Sequence, residues 1–165
     1  MPISGELYKR IGRSAAGAVA IVGVKGRADS SVTGLTVSSF VTLSFDPPMV
    51  MFAIQQSADC YPSIVSSREF GVSLLGHRQS AVARVFATKG VDKNAAVEFT
   101  RGAVLDVPLI PTAIAHVECR TSQITLSGDH AIVVGTVEAA DIKEGEPLLY
   151  FAGRYGTFSA LDGGT

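Results

Sequence analysis

The stretch ITLSGDHAIVVGTV, Ile124 to Val137, decides how the chain is built. It lies inside two long runs rich in β-branched residues, Ile114 to Leu126 and Ala131 to Ile142, joined by Ser127-Gly128-Asp129-His130. Two such runs around a short link containing Gly and Asp read as a β-hairpin. Working outward, Leu148 to Phe151 adds a last strand, and Ala18 to Val24, Thr33 to Phe40, Met49 to Ile54 and Phe70 to Leu75 read as earlier ones. Turns fall at Gly26 to Ser31 and at Asp46-Pro47-Pro48, where Gly, Ser and Pro interrupt the apolar runs. Val and Ile number 29 against 11 Leu, and β-branched side chains suit a pleated surface better than a helix.

Helices are few and short. Glu6 to Arg13 reads as one because Leu7 and Ile11 recur four residues apart among Lys9, Arg10 and Arg13, and Gly17 marks the break after it. Pro62 in a first turn predicts a second helix over Tyr61 to Ser67, and the stripe Val82, Val85, Phe86 a third over Gln79 to Thr88. The polar segment Lys89 to Pro111, interrupted by Gly90, Gly102, Pro108 and Pro111, reads as a lid or surface loop. About seven short, regularly spaced strands predict a mainly β fold, closed or nearly closed into a barrel. The length of 165 residues suits a single domain, 1–165, that buries roughly 70% of its unfolded surface.

Charge and composition remove several classes of function. A net charge of -1 gives no electrostatic footprint for nucleic acid or an anionic membrane. Charged residues make up 18% and hydrophobic ones 47%, which excludes disorder and predicts a homo-oligomer with a reduced solvated surface. The uncharged stretch Ser30 to Phe45 is too short and too rich in Ser, Thr and Gly to span a bilayer. Lys25-Gly26-Arg27 stands where a signal peptide would need small residues for cleavage, so no secretory leader is expected. Cys60 and Cys119 lie far apart, and His77, His116 and His130 are scattered, so neither a disulfide framework nor a metal site is expected. A reducing cytoplasm fits. No GxGxxG or GxxxxGK[ST] follows a strand and no GxSxG elbow is present, which argues against nucleotide-binding αβ folds and serine hydrolases.

Three polar interruptions could carry chemistry. Thr36, Ser38 and Ser39 stand at the end of an otherwise apolar strand, where hydroxyls and backbone N–H groups could hold a phosphate or a polyhydroxylated chain, although Thr and Ser also suit a half-exposed strand. Gln55, Gln56 and Ser57 end the next strand. Their amides both donate and accept, as the pyrimidine edge of a flavin requires, while Ser57 or Asp59 also reads as a helix cap. Arg84 and Lys89 could pair with a phosphate or simply be solvated. Asp129-His130 in the hairpin link is compatible with turn geometry and by itself names no reaction.

The segments GLTVSSF (34–40), DPPMVMFAIQQSA (46–58), FGVSLL (70–75), GDHAIVVGTV (128–137) and PLLYFAGRYGTF (147–158) follow one another in an order that resembles the flavin reductase-like family. Its members are the small reductase components of two-component flavin-dependent monooxygenases, and the resemblance runs from about Leu7 to Phe158. It implies a split β-barrel, a homodimer with flavin near the subunit interface, and reduction of FMN or FAD by NADH or NADPH. It further implies that Thr36, Val37, Ser38 and Ser39 contact flavin together with Gln55 and Ser57, and that Arg84 and Lys89 lie near its phosphate or adenylate part. His130, the candidate catalytic residue, would place the nicotinamide with Arg154 and Tyr155, with Asp129 in the same cofactor-binding segment. Two positions depart from the family's pattern: Ser73, where many relatives carry Asn, and Gln55-Gln56, where several carry Asn-Arg.

Hydride transfer between two cofactors asks the protein for stacking and placement more than for acid or base, which fits the lack of a catalytic dyad. The expected function is therefore an NAD(P)H:flavin oxidoreductase that supplies reduced flavin to a separate monooxygenase, with NADH preferred because no basic cluster marks a 2′-phosphate pocket. The alternative is a split-barrel flavin carrier or electron-transfer protein without productive nicotinamide turnover. A purely structural dimer would leave the hydroxyl strand buried without a ligand, at a cost for each unsatisfied hydroxyl.

Overall fold

The computed structural model describes residues 3–26 and 31–161. In chain order the elements are α1 (Gly5–Ser14), β1 (Gly17–Ala18), β2 (Ala20–Lys25), β3 (Val32–Val37), β4 (Val41–Phe45), β5 (Pro48–Gln55), α2 (Tyr61–Ser66) and β6 (Glu69–Leu74). They continue with α3 (Ser80–Ala87), α4 (Lys93–Ala96), β7 (Thr100–Arg101), β8 (Pro108–Leu109), β9 (Ala115–Ser127), β10 (His130–Ile142), β11 (Leu149–Phe151) and β12 (Arg154–Gly156). Of the expected turn Gly26 to Ser31, residues 27–30 lie outside the described residues.

The mainly β expectation holds. A seven-stranded antiparallel sheet runs in the order β3-β2-β6-β9-β10-β5-β4. Its two edge strands, β3 and β4, are consecutive in sequence and joined only by residues 38–40, so the sheet has to curl until its edges approach. The Ser39 hydroxyl secures that corner: it accepts from Ala53 N at 3.0 Å and donates to Ala53 O at 3.3 Å, adding a side-chain rung to β5 beyond the last β4 pair, Val41↔Met51. No β3–β4 ladder closes the sheet among the described residues, which leaves an open, split barrel.

Inside the curl lie Val22, Phe52, Ile54, Phe70, Val72 and Val133, with Phe52 and Phe70 edge to face at 5.4 Å. β2 is buried on both faces because its alternate residues serve two cores. Val22 and Val24 face the barrel, while Val19 before it and Ile21 pack under α3 with Leu75, Phe86 and Leu148. That double burial explains why Ala20 to Val24 reads as a continuous apolar run rather than an alternation.

The structure corrects several expectations. The strand expected over Ala18 to Val24 breaks at Val19, where the chain leaves the small sheet β1-β11-β12 for the large one. The strand expected over Thr33 to Phe40 ends at Val37, and β4 follows as a separate edge strand whose largely exposed side chains give no burial pattern to read. His130 belongs to β10 rather than to the turn, which is Gly128 and Asp129 with Gly128 at φ 62°. Neither Ser57 nor Asp59 caps α2, whose N-cap is Cys60.

The segment Lys89 to Pro111 is not merely a surface loop. It contains α4, β7 and β8, and Leu105, Val107, Leu109 and Ile110 are buried. Buried polar side chains of the sheet grip its backbone. Glu118, 5% exposed, accepts from Val104 N and Leu105 N; Ser73 accepts from Ile110 N at 2.9 Å; His116 Nε2 lies 2.7 Å from Ile110 O and donates to it. Ser73, the first departure from the family pattern, thus serves this anchor. Because removing Glu118 strands the buried Leu105 N–H and takes the acceptor from the part-buried Val104 N–H, Glu118→Ala should cost about 2–3 kcal/mol of stability. Urea unfolding of the variant checks this, and an unchanged midpoint would assign the grip to apolar packing alone.

Candidate functional site

A cleft of about 810 Å³ runs along the free edge of β3. Residues 32–39 form one wall, Ala53 and Gln55 lie at the end of β5, Asp59 and Cys60 lead into α2, and Phe86 to Asn94 form the opposite wall, with His130 at the β10 end. The edge follows from strand parity. Val32 N and O are bonded to the Asn94 side chain at 2.8 and 3.1 Å on the side away from β2, so the backbone groups of Gly34 and Thr36 point the same way. An unpaired strand edge presents N–H donors and C=O acceptors alternately.

The structure brings Thr36, Val37, Ser38, Ser39, Gln55, Lys89 and His130 together along this one cleft. Their roles differ. The Thr36 hydroxyl donates to Ala83 O at 2.6 Å, tying β3 to α3, and the Ser39 hydroxyl is committed to Ala53. What these two offer a ligand is backbone. Ser38 is exposed and its hydroxyl makes no hydrogen bond among the described residues, and Gln55 is likewise exposed at the strand end. Ser57 does not line the cleft; its carbonyl accepts from Lys89 Nζ at 3.0 Å. Gln56 turns away from the cleft to the hairpin link.

Arg84 does not line the cleft; its guanidinium lies 5.6 Å from the centre of the Tyr155 ring. Tyr155 packs edge to face on Tyr150 at 5.6 Å, and both line a smaller recess of about 180 Å³ that shares Thr36, Val37, Ser38 and Ala87 with the main cleft. Burial raises the Tyr155 pKa, reinforced by Tyr150 and opposed by Arg84, so the phenol stays a donor at neutral pH. Arg154 is exposed on β12 and lines neither space. Asp129 Oδ1 lies 2.7 Å from His130 Nδ1, and that hydrogen bond holds the Asp129 carboxyl below its ordinary range. The bond occupies Nδ1 and leaves Nε2 as the ring nitrogen available to the cleft.

Lys93, Asn94, Asp59 and Cys60 line the cleft without having been expected there. Lys93 Nζ donates to Val85 O at 2.7 Å and Thr88 O at 2.5 Å at the end of α3, and desolvation lowers its pKa. Asp59 accepts from Gly90 N at 3.3 Å, and burial pushes the Cys60 thiol up. An isolated charge in a polar segment gives no sequence signal for such work. Among the described residues no cluster of His, Cys, Asp and Glu could hold a metal ion, and no helix is long and apolar enough to cross a membrane.

A curled antiparallel sheet with a long cleft on one backbone edge and a His at its end defines a small cofactor-binding β protein. Residues 12–159 match the flavin reductase like domain, and the chain belongs to that family. It is 40% identical over 114 residues to an NADH:riboflavin 5'-phosphate oxidoreductase of Streptomyces pristinaespiralis, covering 69% of this chain and 64% of that relative's length. It is 34% identical over 133 residues to the reductase component of 4-hydroxyphenylacetate 3-monooxygenase of Thermus thermophilus, covering 80% of this chain and 83% of the relative. Among solved structures, the NADH:FAD oxidoreductase SgcE6 of Streptomyces globisporus C-1027 superposes with a TM-score of 0.88 at 31% identity, covering 97% of this chain and 96% of that one. The same protein has been solved in complex with NAD and FAD fragments, with a TM-score of 0.87 at 30% identity and 99% of both chains covered.

Proposed function

We propose that this chain is an NAD(P)H:flavin oxidoreductase that supplies reduced flavin to a partner monooxygenase. The observation that carries the reading is the free edge of β3, with exposed Ser38 and Gln55, lying in one cleft with His130. A flavin fits this donor set, because its pyrimidine edge and ribityl chain need alternating donors and acceptors, which an unpaired strand edge and a carboxamide supply. A flavin held here would supply the redox chemistry, as the acceptor of hydride from a reduced nicotinamide. Ser38, Gln55 and the β3 edge hold the ring system. Lys89, whose ammonium donates to Ser57 O, lies on the cleft wall and would exchange that carbonyl for a flavin phosphate. His130, which lines the cleft, and the adjoining recess with Tyr150 and Tyr155 would hold the nicotinamide.

Mixing the purified protein with FMN or FAD and NADH or NADPH, and following nicotinamide absorbance, tests the reading; NADH oxidation dependent on added flavin is expected. Binding of flavin without turnover would select the carrier alternative. Ser38→Ala should weaken flavin binding by about 1–1.5 kcal/mol without unfolding the protein, the scale of one hydrogen bond. Unchanged flavin affinity in a titration would move the recognition to the strand backbone.

The proposed active form is a homodimer. Val41 and Leu43, each 47% exposed, and Phe45, 98% exposed, leave apolar side chains uncovered on edge strand β4, and a second copy is the occupant that a low-charge chain suggests. Light scattering that returned a monomer mass at micromolar concentration would overturn it. A cytoplasmic location, where NADH is supplied and thiols stay reduced, agrees with free, buried Cys60 and Cys119.

A further inference from the structure

We propose that Gln56 is a positioning residue for flavin reduction: it clamps the Gly128–Asp129 turn so that Asp129 and His130 meet and His130 Nε2 faces the cleft. The inference rests on the proposed role of His130 toward the nicotinamide.

The geometry is specific to this residue. Gln56 follows directly on β5, whose Gln55 is paired with His130. Its backbone N donates to Asp129 O at 2.9 Å, carrying the β5–β10 ladder one step into the turn. Its side-chain Nε2 then crosses the turn, donating to Gly128 O at 3.0 Å and His130 O at 3.4 Å. One residue therefore binds the carbonyls of all three residues of the Gly-Asp-His segment. Its neighbour Gln55 remains in the cleft, so the two adjacent amides divide the work between ligand and support.

The support matters because the contact it maintains is weak in isolation. The Asp129 and His130 side chains are 78% and 44% exposed, and one exposed side-chain contact does not by itself fix a ring in water. Backbone held on both sides of the turn reduces the freedom of the two side chains and lets the short Nδ1 contact persist. A rotation of the turn would move the His130 ring relative to the cleft, and hydride transfer is sensitive to displacements of this kind.

Three variants test the proposal in the full-length protein with flavin bound. Gln56→Ala removes the side-chain donors, Gln56→Glu keeps the size but at neutral pH has no donor, and Gln56→Arg restores donors that can reach both carbonyls. The readouts are flavin affinity, stopped-flow flavin reduction against NADH concentration, and the ¹⁵N signals of the His130 ring, which report whether Nδ1 carries the proton. For Gln56→Ala and Gln56→Glu we expect flavin affinity within about 2-fold of wild type, flavin reduction at a given NADH concentration lowered about 5- to 20-fold, and a changed His130 ring signature, with Gln56→Arg recovering most of both. An unchanged His130 signature in Gln56→Ala overturns the clamp. A changed signature with wild-type reduction kinetics overturns the underlying role of His130 instead, and with it the catalytic importance of the clamp. Loss of kinetics in all three variants, Arg included, without a change at His130 would show a general packing role and also overturn the proposal.

Discussion

His130→Ala should lower the rate of flavin reduction by NADH about 10- to 100-fold while flavin affinity stays near that of the wild type, because misplacing a reacting centre by about 1 Å costs that much. The residue sits at the start of β10, paired with Gln55 on one side and Ser127 on the other, so the backbone beneath it is fixed by two ladders. Truncating its side chain removes a ring from the cleft without disturbing the sheet. The Asp129 contact adds a pH signature. Its carboxyl is held below its ordinary range by the His130 hydrogen bond, so the contact is complete above the ordinary Asp range and is lost as pH falls through the lowered value. Acidification through that window should weaken NADH use in the wild type, and Asp129→Asn should lack this acidic limb. Stopped-flow reduction across pH measures both effects. Wild-type rates in His130→Ala would remove the nicotinamide role and favour the carrier.

The sequence made the hairpin legible because its runs of β-branched residues and its Gly-Asp turn agree, and β9 and β10 indeed pair from Ala115↔Ile142 to Ser127↔His130. α1, α2 and α3 were legible from apolar spacing and from Pro62, each within about two residues of its observed ends. What the sequence did not show is the consequence of contacts far apart along the chain. β4 is exposed and has no core-facing alternation, and β12 is three residues long. The segment after Lys89 looked like a loop because its order comes from Ser73, His116 and Glu118, polar residues contributed by β6 and β9. The candidate site shows the same division. The hydroxyls and amides that interrupt apolar strands pointed to residues that line one cleft, but which of them keep a side chain free to face it was not legible. Thr36 and Ser39 spend their hydroxyls on Ala83 and Ala53, Gln56 turns to the hairpin, and only the fold distinguishes them from Ser38 and Gln55.

Gly17→Val should raise either the flavin dissociation constant or the KM for NADH by about 10-fold or more, because relieving the overpacked contact, a strain of ~1–3 kcal/mol, displaces one side of the site. In the sequence this glycine reads as a simple break after the first helix. In the structure it opens β1, paired with Tyr150 of β11, and an added Cβ would lie 2.6 Å from Ser38 O and 3.1 Å from Ser38 Cβ. The first of these contacts is with backbone, so no side-chain rotation relieves it. Either the corner after β3 retreats, taking Ser38 and the ligand-facing edge with it, or β1 moves and carries Tyr150 and the recess it lines with Tyr155. The two responses separate experimentally. Displacement of Ser38 raises the flavin dissociation constant, whereas displacement of β1 spares flavin and raises the KM for NADH. The barrel interior around Phe52 and Phe70 lies in a different cluster from Val19 and Leu148 beside Gly17, so the variant should remain folded, with Gly17→Ala intermediate between it and wild type. Circular dichroism establishes the fold, and flavin titration with steady-state NADH kinetics reads the site. A folded Gly17→Val with normal flavin affinity and normal NADH use would show that the corner tolerates displacement, and that the position of Ser38 does not control the site.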